Sequence, residues 1–140
     1  MTEYKKVFID TALFIYFLEK SPLYFDKIKK YFAYCMDEGI QLVTSAVTVE
    51  EYLVHPYKKK ENELIRNFKN FLEYMEIEVV SIDTEIAEQA ARIRAEFKGF
   101  KAMDSLQIAT AVMTGCEAFF TNDKQLRQEK SLPCLTMDDL

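Results

Sequence analysis

Apolar residues in this chain follow two rhythms. Short unbroken runs, rich in β-branched and aromatic side chains, occur at Val7-Phe8-Ile9, at 40–43, at 77–82 and at 118–120, with Cys134-Leu135 as a shorter fifth. Runs of this length without polar alternation predict strands buried on both faces. Between them the apolar positions recur at helical spacing. Leu23, Ile28, Tyr31, Phe32 and Cys35 share one helix face, which Ser21-Pro22 introduces with a capping serine and a first-turn proline and which Gly39 ends. Thr44 or Ser45 caps a helix through Val54 that His55-Pro56 stops. Leu64, Phe68, Phe71, Leu72 and Met75 make 60–75 amphipathic. Asp83 caps a helix over 84–97, favoured by Ala87, Ala90 and Ala91, and Gly99 marks a break. An apolar, small-residue helix follows over 102–114 and ends at Gly115. Residues 123–128 form a short helix, and Thr136-x-x-Asp139 reads as a capping turn. One stretch is ambiguous. Leu13, Tyr16 and Phe17 fit a helix face over 11–19, but the crowding of Leu13, Ile15, Phe17 and Leu18 also allows a strand.

Short apolar strands alternating with helices predict an α/β fold, a three-layer α/β/α sandwich with a mostly parallel central sheet of four or five strands. At 140 residues, with no linker, repeat or low-complexity tract, the chain reads as one domain over 1–140. With 49% hydrophobic residues but only three glycines and three prolines, it is neither disordered nor built of hairpins. No window is long and apolar enough to span a bilayer, and MTEYKK leads into too short an apolar run for a signal peptide, so the expected location is the cytoplasm. Cys35, Cys116 and Cys134 are odd in number, widely spaced and without a CxxC pair, which fits reduced thiols. A net charge of −5 argues against a protein that coats nucleic acid. It leaves room for an enzyme that gathers cations on carboxylates and meets nucleic acid through a local basic patch.

Four acids sit where an α/β sheet places its chemistry, outside the carboxyl ends of strands. Asp10 follows the first strand directly; it caps the next helix unless Thr11 does so instead. Glu50 and Glu51 follow the second strand about 100° apart on a helix, so only one can face a given site. Glu51, one turn beyond Val47, is slightly preferred. Asp104 opens the apolar helix, where it either answers the helix N-terminus or does chemistry. Asp123 follows the fourth strand; Thr121 and Asn122 compete with it as caps, and Thr121 can donate a hydrogen bond to a nearby carboxylate. Acids converging at one sheet edge repel one another unless a cation neutralises them. Hard ions such as Mg²⁺ take oxygen ligands together with substrate phosphate, and an ion so held makes water a better nucleophile. The ordered set therefore points to metal-dependent phosphoryl transfer.

The same stretches resemble the PIN-domain ribonucleases, whose bacterial and archaeal members include VapC-type toxins. VFIDTALFI is similar to the family's first motif and matches Asp10 to its first acid. TSAVTVEEYL is similar to the second, with Tyr52-Leu53 matching the hydrophobic pair after the acid, which selects Glu51 over Glu50. KAMDSLQIATAV is similar to the most characteristic stretch and supplies Asp104; FFTNDKQL is similar to the last and supplies Thr121 and Asp123. The resemblance runs from about residue 5 to the end. It implies a parallel sheet between helices, an acidic pocket for Mg²⁺ or Mn²⁺, endonucleolytic cleavage of RNA, frequent homodimers and, for toxins, inhibition by a small antitoxin protein. The acidic balance, and YLVHPYKKK where toxins often carry a glycine soon after the acid, depart from a typical toxin.

Lys101, three residues before Asp104, is the best placed phosphate contact, with Lys58 and Arg127 behind it; a solvated surface is the alternative for each. His55, the only histidine, reads as a helix-end surface residue. Two other functions compete. A haloacid-dehalogenase-like phosphatase also begins with a strand and an aspartate, but it needs a second aspartate two residues later, where this chain has Ala12. A non-catalytic RNA-binding or protein-interaction module would keep the fold without turnover.

Overall fold

The computed structural model describes residues 4–128 and 130–140; residues 1–3, the start of the MTEYKK stretch, and residue 129 lie outside the described residues. Strands β1 (Lys6–Ile9), β2 (Gln41–Ser45), β3 (Glu78–Val80), β4 (Ala118–Phe120) and β5 (Cys134–Leu135) form one sheet in the order β3-β2-β1-β4-β5. Every pairing among them is parallel. From β1 the chain builds outward to β2 and β3 on one side, then returns to build β4 and β5 on the other. The strand order therefore reverses beside β1, and a crevice opens above the carboxyl ends of β1 and β4, the usual place for a ligand in such sheets.

Helices cover both faces. Alternation along β1 decides what they cover: Val7 and Ile9 point to one side and Phe8 to the other, all fully buried. The first face packs on α1 (Thr11–Leu18), α2 (Phe25–Glu38), α3 (Ala46–Lys59) and α4 (Asn62–Tyr74), through Phe14, Phe32, Tyr52, Phe68 and Phe71. Phe14 meets Phe68 and Phe71 edge to face, and Tyr52 stacks on Phe68 with centroids 4.5 Å apart. The second face packs on α5 (Thr84–Glu96) and α6 (Ala102–Met113) through smaller side chains, with Phe8 stacked on Phe119.

The α/β sandwich and the order of elements match the sequence reading, and the ambiguous stretch is helical. Asp83 caps α5 through the Ile86 N–H, and Gly39, at φ 66, closes α2 in the left-handed region open to glycine. Thr136 and Asp139 form the expected capping box. Several boundaries differ. Ser21 does not cap α2: its carbonyl accepts from Phe25 N at 2.9 Å, and the helix starts after a turn that brings Tyr24 onto Tyr16. His55-Pro56 does not stop α3, which runs on to Lys59. A proline inside a helix costs about 3 kcal/mol, but Pro56 is buried, as are Tyr52 and Leu53 of the same helix, and packing offsets that cost. The third strand is shorter than 77–82 because only three of its residues find partners on β2. Among the described residues no helix is long and apolar enough to cross a membrane.

Candidate active site at the strand crossover

An open cleft of about 680 Å³ lies above the carboxyl ends of β1 and β4. Asp10, Glu51, Asp104 and Asp123 all line it, with Thr11, Tyr16, Thr121, Asn122 and Lys124. Four parts of the chain supply them: the β1–α1 junction, the second turn of α3, the first turn of α6, and the loop after β4.

Asp10 is both a cap and a site residue. One carboxylate oxygen accepts from the Thr11 N–H at 2.9 Å, and the other accepts from the Thr121 hydroxyl at 2.7 Å. The Thr121 oxygen in turn accepts from the Asp123 N–H at 3.1 Å, so one hydroxyl ties the first acid to the loop that carries the last. Burial pushes the Asp10 carboxyl above its usual range, aided by the charge of Glu51; the Thr121, Thr11 and Gln107 donors oppose this. Thr11 donates to Glu51 Oε1 at 2.7 Å. Glu51 is half-buried while Glu50 is exposed, so the helix turns Glu51 to the cleft.

Asp104 occupies the first turn of α6, where the Lys101 backbone helps to stabilise its charge. Its carboxyl is also pushed up, first by burial and then by the charges of Asp10 and Asp123, against the pull of Lys101. Asp123 is exposed at the rim and accepts from Gln125 N at 3.0 Å, starting the 3-10 turn Lys124–Gln128. Asn122 donates to the Tyr16 hydroxyl at 3.0 Å and fixes that ring at the cleft wall.

The basic residues separate. Lys101 is close enough to stabilise the charge of Asp104. Arg127 turns away, donating to Thr136 Oγ1 at 3.2 Å and pairing with Asp139 at 3.5 Å. Lys58 is exposed in the last turn of α3, outside the residues that line the cleft. His55 is also exposed, 3.7 Å from Glu61. Lys124, which sequence reading passed over, lines the cleft and pairs with Asp138 at 2.6 Å. Polar residues also lie beneath the acids. The sequence offers Thr44 or Ser45 as a helix cap, and Ser45 is that cap, accepting from the Val47 N–H, while Thr48 and Gln107 carry no such local sign. Thr44, Ser45, Thr48 and Gln107 are essentially inaccessible and bonded to one another. Their spacing held the signal: Ser45, Thr48 and Glu51 recur every three residues, and Gln107 is three residues after Asp104.

The donors suit a hard divalent ion, being carboxylate oxygens rather than thiols or imidazoles. Among the described residues, no three acidic, histidine or cysteine groups stand close enough together to share one ion directly. The four acids share the cleft without forming a single three-ligand cluster. Mg²⁺ needs only one or two carboxylates and keeps its remaining waters, so the residues present fit such an ion.

Comparison with known proteins agrees with the fold. Similar folds occur in one chain of the VapBC2 complex of Rickettsia felis, solved bound to a fragment of promoter DNA (15% identity, TM-score 0.79, covering 94% of this chain and 98% of that one). They occur also in the DNA-bound VapBC complex of Salmonella typhimurium (19% identity, TM-score 0.78, 94% and 98%) and in a toxin-antitoxin complex of Klebsiella pneumoniae (20% identity, TM-score 0.70, 96% and 99%). No curated protein matches the chain in sequence. A family model for the PIN domain matches residues 7–130, most of the chain, which therefore belongs to the PIN domain family.

Proposed function

We propose that the protein is a divalent-metal-dependent endoribonuclease that hydrolyses phosphodiester bonds in single-stranded or looped RNA. The observation that carries this reading is the meeting of four carboxylates in one open cleft, with burial and mutual repulsion raising both Asp10 and Asp104. Asp10 and Asp104 would hold Mg²⁺ or Mn²⁺, with Glu51 and Asp123 completing the acidic wall. A bound ion would neutralise this wall, draw in a phosphate oxygen and lower the pKa of water beside it. Glu51, steadied by Thr11, keeps its free oxygen for a proton of the attacking water. Lys101 and Lys124 attract the backbone phosphate as point charges, which gives affinity without sequence preference.

The partners follow from the same reading. RNA is the substrate. A small antitoxin protein is an expected partner, in line with the toxin-antitoxin complex of similar fold, and a second copy of the chain is expected from the family resemblance alone. The cytoplasm is the expected location. The test is cleavage of a mixed single-stranded RNA panel with Mn²⁺, beside an EDTA control and Asp104→Asn. Cleavage by the wild-type protein alone is expected. Equal cleavage in all three would place the activity elsewhere, and an inert, metal-indifferent protein would favour the non-catalytic module.

A further inference from the structure

Beneath the cleft floor lies a buried polar network whose hydrogen bonds have a direction. Ser45 Oγ accepts from the Val47 N–H at 3.0 Å, so its own proton goes to Gln107 Oε1. That contact fixes the side-chain amide of Gln107. In the flipped orientation, the amide oxygen would face Asp10 and the Thr48 hydroxyl, and Ser45 would lose its acceptor. As placed, Gln107 Nε2 donates to Thr48 Oγ1 at 2.7 Å and directs its second hydrogen toward Asp10 Oδ1, 3.5 Å away.

Thr48 Oγ1 also lies 2.8 Å from Thr44 Oγ1 and 3.2 Å from Thr11 Oγ1. Each hydroxyl has a single proton. Thr44 has a carbonyl acceptor in Ile9 O at 2.9 Å, and Thr11 has a carboxylate acceptor in Glu51 at 2.7 Å. Thr48 has one proton and two lone pairs. With Gln107 on one lone pair, the Thr48 proton serves the nearer Thr44, which leaves the Thr44 proton for Ile9, and only one lone pair stays open to compete with Glu51 for the Thr11 proton. With an acceptor in place of Gln107 Nε2, Thr48 would point its proton back and draw the Thr11 proton away from Glu51.

We infer that Gln107 and Thr48 are positioning residues that polarise this network, so that Asp10 and Glu51 meet donors on their buried sides and keep free lone pairs for the cleft. Neither touches a substrate; each acts through the carboxylates. Burial makes the direction matter, since a misdirected hydroxyl here finds no water to correct it. For turnover this rests on the nuclease reading above; for the orientation of the two carboxylates it does not.

A pair of variants separates direction from packing. Thr48→Val keeps the shape and removes the hydroxyl, whereas Thr48→Ser keeps the hydroxyl and removes a methyl group. If Thr48 only packs, serine is the worse substitution. If it directs, valine is. Thr48→Val should slow RNA cleavage about 10- to 100-fold while the protein stays folded, and Thr48→Ser should stay near wild type. Gln107→Leu should resemble Thr48→Val. The carboxyl ¹³C signal of Glu51, read at one fixed pH in the metal-free full chain, should move in Thr48→Val and hold in Thr48→Ser. An unmoved signal in both Thr48→Val and Gln107→Leu would overturn the inference, as would a serine variant at least as impaired as the valine one. If the wild-type protein cleaves nothing, the nuclease reading fails by itself, and the Glu51 signal still decides the direction of the network.

Discussion

The two ends of the sheet treat charge in opposite ways. At the amino ends of the strands polar groups find partners. The Lys5 backbone N–H meets Glu117, the Lys6 ammonium meets the Thr114 carbonyl at the end of α6, and Gln41 donates to Glu78 across neighbouring strands. The small cleft at that end, about 280 Å³, is lined mainly by Cys35, Met36, Ile40, Leu42, Tyr74 and Met75. At the carboxyl ends four carboxylates crowd one cleft, Asp104 is raised partly by its neighbours, and Lys124 on the wall is already paired with Asp138. Repulsion kept in a folded protein, when the same sheet shows how charge can be matched, makes this end the candidate for function.

The largest effect expected from this contrast is at Asp104. Asp104→Asn should lower cleavage by roughly 10²-fold or more while raising the melting temperature without divalent ions, by a few degrees for each ~1 kcal/mol of relieved repulsion. Paired activity and melting measurements check this; loss of activity together with loss of stability would mean a damaged fold rather than a relieved site. Next is Thr121, whose hydroxyl links Asp10 to Asp123. Thr121→Val should cost about 10- to 100-fold in turnover or metal affinity, and an unchanged rate would detach the last loop from the site.

A smaller effect should appear in pH dependence. Asp10 and Asp104 lie above their ordinary value in the folded chain, so between the unfolded and folded pKa the native state binds more protons. Their contribution to the stability of the metal-free protein is therefore fully present below the unfolded value and lost as pH rises through the folded one. Urea midpoints in EDTA from about pH 4 to about pH 7 should show a decline that Asp104→Asn flattens. The smallest effect belongs to the other end of the sheet. Glu117→Ala should cost about 1 kcal/mol or less and leave cleavage unchanged, and a change in rate there would blur the contrast between the ends.

Legibility in the sequence followed the same division. Features set by local pattern could be read directly: the strand runs, the Asp83 cap, the Gly39 stop, and Asp10 at a strand end. Features set by tertiary contact could not. Pro56 carries every local sign of a helix stop and is overruled by its burial. Ser21 carries the sign of a cap, but the Tyr24–Tyr16 contact moves the start of α2. Arg127 and Lys124 are three residues apart in one short turn, and only the fold turns the lysine to the cleft and the arginine to Asp139. Glu51 was separable from Glu50 only weakly by helix phase, and Gln107 was hidden in an apolar helix whose polar member drew no notice. A buried glutamine in such a helix needs partners, and that need was the legible clue.

The central claim is that the unbalanced end of the sheet is balanced by a divalent ion. The measurement that tests it most directly is the melting temperature in EDTA and then in millimolar Mn²⁺, for the wild-type protein and for Asp10→Asn. An ion bound only by the native state stabilises it by RT ln(1 + [L]/Kd), about 2.7 kcal/mol at a hundred times Kd. The wild-type midpoint should rise with Mn²⁺ and that of Asp10→Asn should rise much less. An unchanged wild-type midpoint, or an equal rise in both proteins, would contradict the claim.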